Sequence, residues 1–131
     1  YYHVEAFDMD VNVSVFETTI RVLGGLLSAH LMAIDPKLNV YHANEGEYYD
    51  DELLILAKDI GERLLPAFNT LTGIPYGTVN LRSGVPNGET EIASTAGAGS
   101  LLIEFEVLSS LLGIYIYAYI YIYIHICVCV W

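Results

Sequence analysis

The chain has 131 residues, 54% of them hydrophobic, which is enough for one modest domain with an apolar core and too many for a disordered segment. Sixteen acidic residues against five basic ones give a formal net charge of -11, which repels phosphate backbones and anionic lipid heads and argues against a nucleic-acid partner. No basic, then apolar, then small-residue leader is visible at the start, and both cysteines, Cys127 and Cys129, fall within the last five residues, where they say little about redox compartment.

The first predicted helix spans residues 14–34. Ser14 is a good N-cap, Glu17 follows at the capping-box spacing, and Asp35-Pro36 stops the helix. At 3.6 residues per turn Phe16, Ile20, Leu23, Leu27 and Leu31 fall on one side and Val15, Val22, Leu26, Ala29 and Ala33 on another. Only a narrow stripe of Glu17, Arg21, Gly24 and Ser28 remains between them. Such a helix is normally buried on most sides. His30 reads as a packing residue near the helix end, and Gly24-Gly25 as a place for close helix approach or a cavity lining. Asn12-Val13-Ser14 is an N-glycosylation acceptor pattern, although a position directly before a buried helix argues against its use.

A second helix is expected after Asp50 and Asp51, whose carboxylates suit a helix N-terminus. Its single apolar stripe of Leu53, Leu56, Ala57, Ile60 and Leu64 is that of a surface helix. Residues 69–93 are rich in Gly, Pro and Thr and too long for a bare connection. Alternation at Thr78, Val79, Asn80 and Leu81, between turn signals at 73–75 and 86–88, predicts a short β-hairpin whose polar, aromatic-containing surface suits a sugar. The third helix begins at Ser94 or Thr95 and ends at Gly113, burying Leu101, Phe105, Leu108 and Leu112, with Glu104 interrupting its apolar surface. The order buried, surface, buried is what a double ring of helices requires.

From residue 114 to 131 the text is IYIYAYIYIYIHICVCVW, an apolar low-complexity tail. It is open to three readings: a marginal membrane span, a strand without a polar face, or dinucleotide repeat DNA translated in frame, since ATA and TAT encode Ile and Tyr and TGT and GTG encode Cys and Val. The last is favoured, and no function is assigned to the tail.

The runs VSVFETTIRVLGGLLSAH, LLPAF, TGIPYGTVNL, GVPNGET and STAGAGSLLIEFEVLSSL, in this order between residues 10 and 113, resemble family 47 glycoside hydrolases, and most closely the branch of ER degradation-enhancing α-mannosidase-like proteins. The resemblance implies an (α/α)7 barrel with calcium in its central cavity, inverting hydrolysis of α-1,2-linked mannose on high-mannose N-glycans, and a place in the endoplasmic reticulum lumen acting on misfolded glycoproteins. It implies a catalytic acid at Glu17, a substrate-contacting Arg21 and a further active-site carboxylate at Glu104. The base and the calcium-contacting threonine of the family come from later helices than those in this chain, and Ser94 stands where several members carry cysteine.

Without that resemblance, Glu17 reads as the capping partner of Ser14 and its pairing with Arg21 as an ordinary i,i+4 contact. A glycosidic proton donor needs a partly desolvated site, and a guanidinium bound directly to it works against that role. The expectation is an all-α chain with a short β-hairpin and about three main helices: an incomplete fragment of an (α/α)7 barrel over residues 1–113, followed by the tail over 114–131. A mannosidase part, inactive by itself, is the first functional reading. A non-catalytic, lectin-like glycan-binding or glycoprotein-binding module is the second.

Overall fold

Ser14 ends one element and starts the next. In the computed structural model, which describes residues 6–38, 49–90 and 92–114, strand β1 (Asn12–Ser14) runs directly into helix α1 (Val15–Thr18). Ser14 keeps extended backbone angles, φ −70° and ψ 124°, and its Oγ accepts the Glu17 amide at 3.3 Å, so one of the orphan donors of the first turn is satisfied. A five-residue π turn (Thr19–Leu23) and helix α2 (Gly24–Ile34) continue the same rod. Asp35 returns to extended angles, φ −73° and ψ 112°, as the residue before a proline prefers.

The π turn was not foreseen, and it explains which side of the rod is buried. Within it the Gly24 amide reaches back five residues to the Thr19 carbonyl, inserting one extra residue into the helical count. The buried line therefore starts at Val15 on one predicted side and continues at Leu23 and Leu27 on the other, ending at His30. Val22 and Leu31, expected inside, are exposed. His30 is enclosed, with its Nδ1 2.7 Å from the Tyr49 hydroxyl, which joins the helix end to the approach of the next helix. Burial is also the chief cause of a raised Tyr49 pKa.

Helix α3 (Glu52–Leu64) buries Ala57, Ile60, Gly61 and Leu64 on one stripe, and a single 3-10 turn (Leu65–Phe68) follows. Asp51 precedes the helix in the left-handed region at φ 55° and caps through its backbone carbonyl, which receives the Ile55 amide at 3.0 Å, and not through its carboxylate. The third predicted helix is two. Helix α4 (Thr95–Gly99), capped by Ser94 Oγ on the Gly97 amide, gives way to helix α5 (Leu102–Leu112), which Gly113 ends at φ 64°. At the break Ser100 Oγ bonds the Ala96 carbonyl at 2.7 Å, an attachment that competes with the helical ladder. Helix α2 packs on α3 and α5, and α3 packs on α5, around Leu23, Leu27, Ile60, Leu64, Leu101, Phe105 and Leu108.

The two-stranded antiparallel element is present, with its strands far apart in sequence. Strand β2 (Thr78–Asn80) pairs with β1 in the register Asn12 to Asn80, Val13 to Val79 and Ser14 to Thr78. Locally, Asn80 and Gly84 exchange amide bonds of 2.8 and 3.0 Å around a tight turn, with Gly84 at φ 84°. The expected hairpin within residues 74–81 is thus a strand paired to residues 12–14 and followed by that turn.

Asn80, only 8% exposed, is the hub of this joint. Its Nδ2 donates to Asp10 at 3.0 Å and to Asn12 Oδ1 at 2.9 Å, while its Oδ1 accepts the amides of Arg82 and Ser83, both at 3.0 Å. Every polar atom of the side chain is used. Arg63 adds a second tie, donating to Asp59 at 2.8 Å and to the Leu81 carbonyl at 2.9 Å, and Asp59 in turn holds the Phe7 amide at 2.9 Å. Asn80→Asp keeps the shape but turns two donors into an anionic acceptor facing Asp10. It is expected to cost about 2–4 kcal/mol, read as a lower urea midpoint at unchanged slope.

Val22, Leu31, Met32 and Ile34 on the first rod and Ile103 on α5 remain exposed among the described residues. Apolar faces of this extent drive association. The isolated chain is expected to self-associate with rising concentration in detergent-free buffer, measured by light scattering, and a monodisperse monomer is the contrary result. The tail assigned above to residues 114–131 lies outside the described residues beyond Ile114.

Candidate active site

Because Ser14 fixes the first turn of α1, Glu17 and Arg21 project from one side of the rod on successive turns. Arg21 Nε donates directly to Glu17 Oε2. That hydrogen bond first, and the Glu17 charge second, raise the Arg21 pKa above its ordinary value. The side chains are 48% and 73% exposed, respectively, so water screens the pair and it adds little to stability. Its value lies in presenting a carboxylate and a guanidinium side by side on an open surface. Behind them Thr18 and Thr19 are buried, and Thr19 Oγ1 has no hydrogen-bond partner among the described residues.

Glu104 comes from the first turn of α5 and lies against the same rod. A Cβ on Gly24 would stand 3.4 Å from Glu104 Cγ and 3.5 Å from its Oε1, in van der Waals contact, so this carboxylate rests against the rod at Gly24, one turn beyond Arg21. Among the described residues nothing lies within 4 Å of the Gly25 Cβ position, so of the pair it is the first glycine that packs closely there. Glu104 Oε2 is enclosed and has no hydrogen-bond partner among the described residues. A buried carboxylate oxygen in that condition is an acceptor waiting for a donor.

Of the three residues singled out from sequence, the structure brings two together on the first rod and seats the third, from α5, against that rod at Gly24. Glu17 and Arg21 touch, and Glu104 meets the rod at Gly24 without a hydrogen bond or ion pair to either among the described residues. The enclosed Thr19 hydroxyl was not read from sequence; close approach at the Gly24-Gly25 pair was, though not that Glu104 would be the group resting there.

The resemblance implied calcium. Among the described residues no three His, Cys, Asp or Glu side chains gather where they could hold a metal ion, so these residues by themselves do not build a calcium site. Elsewhere a cleft of about 460 Å³ opens between residues 70–76 and residues 92–93, with Thr70, Thr72, Pro75, Tyr76 and Ile92 among its lining.

Residues 2–125 match the family model of glycosyl hydrolase family 47. The chain is similar to alpha-mannosidase I MNS4 of Arabidopsis thaliana, with 55% identity over 105 residues, 80% of this chain and 16% of that protein. It is similar to the human ER degradation-enhancing alpha-mannosidase-like protein 2, with 53% identity over 107 residues, 82% of this chain and 18% of that protein. Among solved structures the alpha-1,2-mannosidase from Trichoderma reesei superposes with a TM-score of 0.70 and 32% identity, over 88% of this chain and 23% of that one. The chain thus spans less than a fifth of the length of these curated relatives.

Proposed function

This chain belongs to glycosyl hydrolase family 47, and from that premise we propose that it forms part of the active-site wall of an α-1,2-mannosidase, built as an (α/α)7 barrel, that trims high-mannose N-glycans. The misfolded-glycoprotein substrate, the endoplasmic reticulum lumen and the family's calcium ion belong to the same proposal. They rest on relatives named ER degradation-enhancing alpha-mannosidase-like proteins.

The observation that carries the reading is a carboxylate beside Arg21, open to solvent on the first rod, together with a second carboxylate from α5 that rests against the same rod at Gly24 with an enclosed, unsatisfied oxygen. In this reading Glu17 donates a proton to the departing glycosidic oxygen, which moves off as the hydroxyl of the shortened glycan. Arg21 must first let go of Glu17, and sugar hydroxyls and ring oxygen offer it replacement acceptors. Glu104 Oε2 accepts from a substrate hydroxyl, directly or through water. Inversion further needs a carboxylate that activates water, about 6.5–9.5 Å from the acid. Its assignment to residues outside the matched span agrees with the small share of each relative that this chain covers.

The test compares mannose release from a high-mannose glycan by the chain alone and by a chimera in which residues 6–114 replace the matching part of the human relative. The chimera is expected to turn over and the isolated chain is not. Turnover by the isolated chain overturns its assignment as one part of a larger site.

A lectin-like role is favoured by one feature, the cleft lined by Tyr76 together with Thr70, Thr72 and Pro75, whose aromatic and polar lining is of the kind on which a sugar can stack. Glycan binding by the chain that survives Glu17→Gln but is lost in Tyr76→Ala would select that role.

A further inference from the structure

We propose that Asn12 is an N-glycosylation site and that the folded chain is built to carry a glycan there. Of the six asparagines in the sequence only Asn12 has a serine or threonine two positions on, Ser14, and the intervening residue is valine, not proline. The sequence alone set the buried helix that follows against this. The structure removes that objection, because Asn12 lies on β1, ahead of the first helical residue, and is exposed.

The bonding of the two asparagine side chains suits the modification. Asn12 Oδ1 accepts from Asn80 Nδ2 at 2.9 Å, whereas Asn12 Nδ2 meets no acceptor among the described residues. In the transfer, Nδ2 loses one hydrogen as a proton and bonds the anomeric carbon of a lipid-diphosphate-linked oligosaccharide, whose bond to the diphosphate oxygen breaks with release of the lipid diphosphate. Oδ1 is untouched and stays an acceptor. The Asn80 bond that closes the joint between β1 and β2 therefore survives in the glycosylated protein, and the nitrogen that changes is the one the fold leaves free. Ser14 Oγ serves the acceptor motif while the chain is extended and later caps α1 by taking the Glu17 amide. The two uses fall before and after folding and do not compete.

The inference rests on the lumenal reading above for its setting, and the experiment separates the two. The full chain is expressed in yeast behind a supplied signal sequence, so that entry into the lumen does not depend on its own address, and its mobility is compared before and after endoglycosidase H. A single glycan step is expected, removed by the enzyme, absent in Asn12→Gln and stronger in Ser14→Thr. The control Glu89→Thr creates an acceptor motif at the exposed Asn87. A wild-type chain without a step, beside a control that gains one, overturns the proposal. So does a wild-type step that persists in Asn12→Gln.

Discussion

Glu17→Gln in the chimera is expected to lower kcat for mannose release by about 10²–10⁴-fold, the range for loss of a positioned general acid, with a much smaller change in KM. Glutamine keeps the size of the side chain, and its backbone amide still reaches Ser14 Oγ at the cap. What it lacks is a transferable proton. Since Arg21 Nε needs only an acceptor, the amide oxygen can still receive it, and the local fold should be unchanged by circular dichroism. A substrate whose departing group needs no proton gives the sharper reading. With α-mannosyl fluoride the variant should recover most of the wild-type rate, because fluoride leaves as an anion. Equal losses on both substrates would assign Glu17 a binding or structural role, and full activity on the glycan would remove it from the chemistry.

How far this site could be read in advance depended on the range of the contacts involved. The Glu17 and Arg21 pair is local, set by the capping spacing from Ser14 and one helical turn, and it stands where the sequence placed it. The ends of the rod were legible for the same reason, with Ser14 at one and Asp35-Pro36 at the other. Its buried face was legible in part: Val15, Leu23, Leu27 and the packing residue His30 are inside, while Val22 and Leu31 are exposed, since a π turn leaves no mark in a period of 3.6. The break at Ser100 depends on a hydroxyl choosing the Ala96 carbonyl, which composition does not announce. Pairing of β1 with β2 joins residues sixty-eight positions apart, Asn12 and Asn80, through three-residue strands too short to carry a pattern. Glu104 shows the same limit at the site itself. Its residue type and helix were readable, and Gly24-Gly25 was read as a place for close helix approach, but that Glu104 is the group resting at Gly24 is a contact between different helices, which only tertiary packing reveals.

That packing gives the second large effect. Phe105→Ala is expected to destabilise the chain by about 3–5 kcal/mol, the usual range for removing a buried aromatic ring. Phe105 is 1% exposed and meets Phe68 edge to face, with centroids 5.3 Å apart and planes at 81°. Leu101, just before α5, and Leu108 on it flank the ring, so it is the middle of the stripe that fastens this helix to α2 and α3. A domain of ordinary stability has about 5–15 kcal/mol in total, which leaves the variant near its unfolding threshold at room temperature. The measurement is the urea midpoint by far-UV circular dichroism at low protein concentration, below the onset of self-association. Phe105→Leu, which keeps most of the volume and loses the edge-to-face contact, should fall by much less, and the difference between the two isolates the cavity from the aromatic contact. Because Glu104 is the preceding residue on the same turn, its seat at Gly24 depends on α5 staying docked. In the chimera, Phe105→Ala should therefore lose activity in proportion to the folded population and regain it on cooling toward the temperature of greatest stability, whereas Glu17→Gln should stay inactive on the glycan at every temperature. A shift of less than about 1 kcal/mol for Phe105→Ala, well below the range for a filled core position, would mean that α5 is not held by this ring and that the placement of Glu104 needs another cause.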